Sequence, residues 1–165
     1  MRRKDREITA PEEIEAIIRK TRILHLGLHD GEFPYIVPLH YGYEQNEESG
    51  QYMFYMHGAR EGHKLDLIRR NPHVCVELDC DEAIVSGGDI PCAYGAEYAS
   101  VIGRGMAEVV EDEVEKIHGL ELLMKHQTGR AFVITPQMAS SVSVIKVTLS
   151  EVTAKSRKPA PGKNK

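Results

Sequence analysis

Ile23-Leu24-His25-Leu26-Gly27-Leu28-His29-Asp30-Gly31-Glu32-Phe33-Pro34-Tyr35-Ile36-Val37-Pro38-Leu39-His40-Tyr41 is the stretch on which the fold turns. Two short runs rich in aliphatic and aromatic residues, Ile23 to Leu28 and Tyr35 to Tyr41, flank Asp30-Gly31, a strong turn signal. They predict an antiparallel hairpin. Pro38 has no N–H to give to a ladder, so its strand is expected at an edge, at a bulge or against a ligand.

Working outward, Thr9-Ala10-Pro11-Glu12 fits a capping box with Thr9 as N-cap, ahead of Ile14, Ile17 and Ile18 at helical spacing. On the other side, Tyr52 to His57 reads as a strand, residues 61–70 as a short helix stopped by Asn71-Pro72, and His73 to Leu78 as a fourth strand. Asp79 to Ala96 predicts a long loop. Tyr98 to Val110 predicts a strand, Val114 to Met124 an amphipathic helix with an acidic start, and Val142 to Val152 a closing strand. Hairpin-linked strands with few helices do not fit a doubly wound sheet, whose strands alternate regularly with crossover helices. A mainly β chain is expected, folded as an antiparallel barrel with peripheral helices; closure also removes exposed sheet edges.

A chain of 165 residues has the size of one domain. That domain is expected over residues 1–155, followed by a basic tail, flexible over 156–165, that starts at about Lys155. Hydrophobic residues make up 41% and no apolar run approaches a membrane span, so a soluble, membrane-free protein is expected. The start lacks the apolar stretch of a secretory signal, which makes cytoplasm the simplest compartment. Cys75, Cys80 and Cys92 form no C-x-x-C pair and are read as reduced small hydrophobes. A net charge of −4 argues against general affinity for nucleic acid, leaving the basic tail as the one segment that could touch it.

His57-Gly58-Ala59-Arg60-Glu61-Gly62-His63-Lys64 lies between a strand end and a helix start. Gly58 and Gly62 permit close backbone approach, the helix start offers unpaired N–H groups, and Arg60, His63 and Lys64 add cationic donors. This is a phosphate cradle by composition, although a solvated connection has the same composition. It is not a P-loop, because the glycine spacing is wrong and no Ser or Thr follows Lys64. Gly103-Arg104-Gly105 is only a fragment of the dinucleotide fingerprint and lies within a strand. His73, Cys75, Glu77 and Asp79 share one strand face, but neighbours on that face are roughly 7 Å apart, so no metal is expected there. No nucleophile elbow is present.

Taken in order, Pro34-Tyr35-Ile36-Val37-Pro38-Leu39, His57-Gly58-Ala59-x-Glu61-Gly62-x-Lys64-x-Asp66-x-Ile68, Asn71-Pro72-His73-Val74-Cys75 and Tyr98-x-Ser100-Val101-Ile102-Gly103-x-Gly105-x-Ala107 resemble the nitroimidazole-resistance (NimA-like) branch of the pyridoxamine-phosphate-oxidase-like superfamily. The opening residues 1–8 are also similar, and the resemblance spans about residues 1 to 155. It implies an FMN-binding split barrel, a homodimer, and FMN in a groove to which both chains contribute. By the same resemblance Val37, Pro38 and Leu39 pass along the isoalloxazine, His57 and Ala59 flank the ribityl phosphate, and Lys64 grips the phosphate. Cys92 and the strand carrying Tyr98, Ser100, Val101 and Ile102 line the flavin of the partner. His57 is the catalytic candidate and a small planar molecule, such as a nitroimidazole, the acceptor. Ala99 stands where relatives often carry arginine, so a cationic contact is expected to be missing. The competing expectation is a non-catalytic flavin- or haem-binding module.

Overall fold

The computed structural model describes residues 3–157. Seven strands and four α-helices follow in the order β1 (Glu7–Ile8), α1 (Pro11–Lys20), β2 (Ile23–Asp30), β3 (Phe33–Gln45), β4 (Tyr52–Gly58), α2 (His63–Arg70), β5 (His73–Val85), β6 (Gly95–Val110), α3 (Glu113–Thr128), α4 (Pro136–Ser140) and β7 (Ser143–Arg157). Every pairing is antiparallel, in the order β1-β7-β4-β3-β2-β5-β6, and β6 pairs back onto β7. That closing ladder turns the sheet into a split β-barrel with peripheral helices.

The β2–β3 hairpin forms about Asp30-Gly31, with Gly31 at φ 64°, and aligns His25 with Pro38 and Gly27 with Ile36. Alternation puts Leu24, Leu26 and Leu28 of β2 and Val74, Val76 and Leu78 of β5 inside, where they meet Phe54, Met56, Val101, Ile145 and Val147. A second apolar cluster lies outside the barrel wall, where Tyr55, Val110 and Val144 are covered by Leu120 of α3 and Ala139 of α4. α3 lies flush on the wall because it meets Gly42 of β3: a Cβ there would overlap the Leu122–Leu123 backbone.

Three expectations are corrected and one element is added. Thr9 caps nothing: the N-cap of α1 is Ala10, because Pro11, with its preset φ, occupies the first helical position. Half of the expected long loop is strand. β5 continues to Val85 and β6 begins at Gly95, with the irregularity confined to a bulge between Cys80 and Ala83, where Asp81 adopts φ 63°. Charged residues imitate a loop there because that arm is exposed on both faces. Lys155, Ser156 and Arg157 are not tail but the end of β7, paired with Ser100, Ala99 and Tyr98. The rest of the expected tail lies outside the described residues. Finally, α4 was not foreseen; it is held by Pro136 at its first position and by Thr135 Oγ1, which accepts from Met138 N at 3.3 Å. Among the described residues no helix is long and apolar enough to cross a membrane.

Candidate functional site

The barrel splits between β3 and β4. β3 pairs with β4 only from Tyr41 to Gln45, opposite Met56 to Tyr52; from His40 back to Phe33 it pairs with β2 alone. Beyond Met56, β4 is paired only with β7, through His57–Val144 and Gly58–Ser143. The two strands thus diverge into a fork with Pro38 on one arm and His57 on the other. Pro34 and Pro38, which lack N–H groups, both lie on the arm that has a partner on one side only.

The fork runs into the start of α2. Gly62 is its N-cap, with φ 150° and ψ 158°, a backbone that L side chains rarely adopt, and no side chain caps this end. A Cβ added at Gly62 would meet nothing within 4 Å. Across the turn, the Lys64 side chain folds back over Gly58, so that a Cβ there would stand 2.9 Å from Nζ and 3.0 Å from Cε. A bare glycine at 58 therefore lets the ammonium settle at the strand end, and Lys64 itself belongs to the first, uncapped turn of α2. Ser143 Oγ donates to Arg60 O at 3.4 Å and tethers the intervening loop.

His63 does not join Lys64. Its Nε2 donates to Asp30 Oδ2 at 2.6 Å, its ring stands edge-on to Tyr35 at 5.1 Å, and Arg70 reaches the other Asp30 oxygen at 3.3 Å. The His63 hydrogen bond holds the Asp30 carboxyl below its usual range, with the charges of His63 and Arg70 assisting. These contacts clamp α2 to the β2–β3 turn, which sets the position from which Lys64 reaches.

Of the other expected residues, His57, Ala59 and Pro38 are exposed at the fork, while half-buried Val37 and Leu39 pack against the core. Cys92 is exposed in the short turn Pro91–Ala93. Tyr98 accepts from Arg6 Nη1 at 3.4 Å, and Lys155 Nζ lies 5.7 Å from its ring centroid. Ser100 is buried, Val101 is in the barrel core, and Ile102 is 40% exposed. Ala99 is also in the core. Within one chain the structure does not bring these β6 residues to the fork: β7 pairs with His57 at Val144 and with Ile102 at Thr153, nine residues on, or about 30 Å along an extended strand.

One feature was missed in the sequence. The outer faces of β2, β3, β5 and β6 form an open groove of about 980 Å³, walled by Phe33, Ile36 and Met106 and bearing His25 and His73. Phe33 is 72%, Ile36 61% and Met106 53% exposed. The available signal was that β3 is apolar on both faces, with Val37 and Leu39 inward and Ile36 and Pro38 outward. On the same wall burial, and then the neighbouring Asp79 carboxylate, push the Glu77 carboxyl upward against the opposing pull of His25.

Comparison with known proteins agrees with the split-barrel fold. The family model described as "Pyridoxamine 5'-phosphate oxidase" matches residues 10–156. A crystal structure of a candidate 5-nitroimidazole antibiotic resistance protein from Bacteroides thetaiotaomicron is 31% identical, covers 91% of this chain and 86% of its own, and superposes with a TM-score of 0.77. A flavocytochrome from Azotobacter vinelandii shares the fold at 18% identity, with 99% of this chain and 75% of that one covered and a TM-score of 0.77. So does an FAD- and haem-binding protein from Mycobacterium smegmatis, at 14% identity, 96% and 77% coverage and a TM-score of 0.77. No curated protein sequence matches the chain. With the family match running through nearly all of the barrel, and the 31% identical relative superposing on it, the chain belongs to the pyridoxamine 5'-phosphate oxidase family, on the branch of that nitroimidazole-resistance relative.

Proposed function

We propose that this protein is an FMN-binding flavoprotein that acts as a homodimer and reduces a small planar acceptor such as a nitroaromatic. The observation that carries the reading is the Lys64 ammonium folded over Gly58 beside the uncapped start of α2, at the mouth of the β3–β4 fork. Amides at a helix start and a cation converge on a phosphate, and the space above Gly62 is one that no side chain fills. A flat ring fits the arm that bears Pro38, which has a strand partner on one side only. FMN, when bound, supplies the electron-transfer chemistry, while the protein supplies position and polarity. Lys64 and the α2 amides hold the phosphate; Val37, Pro38 and Leu39 support the ring through backbone. His57 holds a proton at a ring nitrogen, at the exposed end of β4, for an acceptor oxygen that gains charge.

Two chains are favoured because the β6 residues assigned to the flavin are so far along β7 from the fork, and because the outer groove presents Phe33, Ile36 and Met106 to solvent. The competing reading is haem in that groove, where His25, His29 and His73 meet apolar walls. The absorbance spectrum of freshly purified protein separates them. Flavin bands, FMN as the nucleotide released on denaturation, and anaerobic reoxidation of the dithionite-reduced protein by a nitroimidazole are expected. A Soret band, or a colourless protein that ignores added FMN, overturns the proposal; FAD as the released nucleotide corrects its cofactor.

A further inference from the structure

On the outer wall, His25 of β2 is the cross-strand partner of Glu77 of β5, and Asp79 follows two residues on along the same face. His25 Nδ1 stands 3.2 Å from Glu77 Oε2, and one ligating atom from each of the three residues lies within 4.8 Å of the other two. We propose that His25, Glu77 and Asp79 form a binding site for a divalent transition cation of the zinc class, independent of the flavin reading.

The donor chemistry favours such an ion. A neutral imidazole and two carboxylates are borderline-hard ligands that suit zinc, cobalt or manganese, whereas calcium and magnesium prefer oxygen alone. With bonds of about 2.1 Å, ligands on one ion stand roughly 3–4 Å apart, so a small rotation of exposed Asp79 closes the set. Charge points the same way. Among the described residues Glu77 has no ion-pair partner other than His25, and neither Glu77 nor Asp79 is paired with a lysine or arginine. The two carboxylates instead face each other, and an ion relieves that repulsion.

Three ligands from one chain leave coordination positions for water, the arrangement of an open rather than a purely structural site. Its place gives it a consequence: Pro38, His25, Glu77 and Ile102 form a continuous rung across β3, β2, β5 and β6. The ion would add positive charge to the wall of the outer groove, which His25 and Glu77 line. Glu77 and Asp79 remain neighbours along β5, but their side chains bring the ligating oxygens within 4.8 Å of each other, and His25 adds a ligand from the neighbouring strand.

The test is Co²⁺ added to the full-length, metal-stripped protein, followed by its visible d–d bands and by calorimetry, with Zn²⁺ as competitor. One Co²⁺ per chain is expected, displaced by Zn²⁺. His25→Ala, Glu77→Gln and Asp79→Asn should each weaken Co²⁺ binding at least 10-fold, because each removes a ligand. His73→Ala and Glu32→Gln, in the same groove but outside the triad, should change it less than about threefold. All five side chains are partly or fully exposed, and far-UV circular dichroism checks that the variants fold. Failure to bind Co²⁺, or binding that the triad variants leave unchanged, overturns the proposal; so does loss caused equally by His73→Ala, which would move the site elsewhere in the groove.

Discussion

Lys64 is, at the residue scale, the cation that folds over the strand end at the fork, whereas His63 and Arg70 are held at Asp30. A charge-assisted contact to a phosphate contributes about 1.5–3 kcal/mol. Lys64→Ala should therefore fold normally yet bind FMN about 10- to 150-fold more weakly, while Lys64→Arg keeps part of the affinity. Riboflavin, which has no phosphate, should bind wild type and Lys64→Ala alike; unchanged FMN titration in the variant removes Lys64 from the site. Gly58→Ala tests the same contact from beneath, since its Cβ would stand 2.9 Å from Lys64 Nζ and displace the flexible end of that chain. His57 separates from Lys64 by its readout. His57→Ala should lower turnover about 100-fold, the scale of a lost general acid, with FMN affinity changed little; equal turnover excludes it from proton transfer.

Among the elements, α3 is the one whose placement runs against its own propensity. It carries Gly119 at mid-helix, where alanine would add about 1 kcal/mol of helix stability. Yet a Cβ at Gly119 would stand 2.5 Å from Tyr55 Cδ1, and the Tyr55 ring is buried, with its hydroxyl donating to Glu44 Oε1 at 3.1 Å. Overpacking of this kind costs roughly 1–3 kcal/mol, more than the propensity gain if the ring cannot yield. Net of the propensity gain the cost is about 0–2 kcal/mol, so Gly119→Ala should lower the melting temperature by up to about 8 °C, at 2–4 °C per kcal/mol for a domain of this size. A rise in melting temperature would show that Tyr55 moves aside. Gly42→Ala, which would overlap the backbone of α3 rather than a side chain, should cost more than Gly119→Ala, and thermal unfolding of the pair ranks the two.

For the whole molecule, the exposed apolar wall and the distance between the fork and the β6 residues belong together. If the outer groove is the dimer face, Ile36→Asp places an unpaired charge in it without touching the barrel core, since Ile36 is 61% exposed. Sedimentation should show wild type as a dimer at micromolar concentration and Ile36→Asp as a monomer, with dimer affinity reduced at least 100-fold and FMN lost with it. A wild-type monomer that holds a full complement of FMN would refute the two-chain site. A dimer unaffected by Ile36→Asp would move the interface to another face.

The hairpin about Asp30-Gly31, the strand-to-helix junction at residues 57–64 and the apolar period of α1 were legible in the chain because each is governed by local chemistry: turn geometry, side-chain spacing and the glycine positions; α3 was legible as a helix, although Val114 of its expected apolar face is exposed. Local rules also produced the errors. Charged residues from Asp79 onward imitate a loop, and only the ladder with β6 reveals a strand; Lys155 to Arg157 look like a tail until β6 supplies their partners. The fork likewise depends on where β3 exchanges β2 for β4, a register that no single segment encodes. The same holds for His25, Glu77 and Asp79. Fifty-two positions separate His25 from Glu77 in the chain, and antiparallel pairing alone makes them neighbours at 3.2 Å. Sequence determined which residues could form turns, helices and a phosphate cradle, since those depend on near neighbours; tertiary structure decided which side chains meet, since strand pairing brings together residues that covalent order keeps apart.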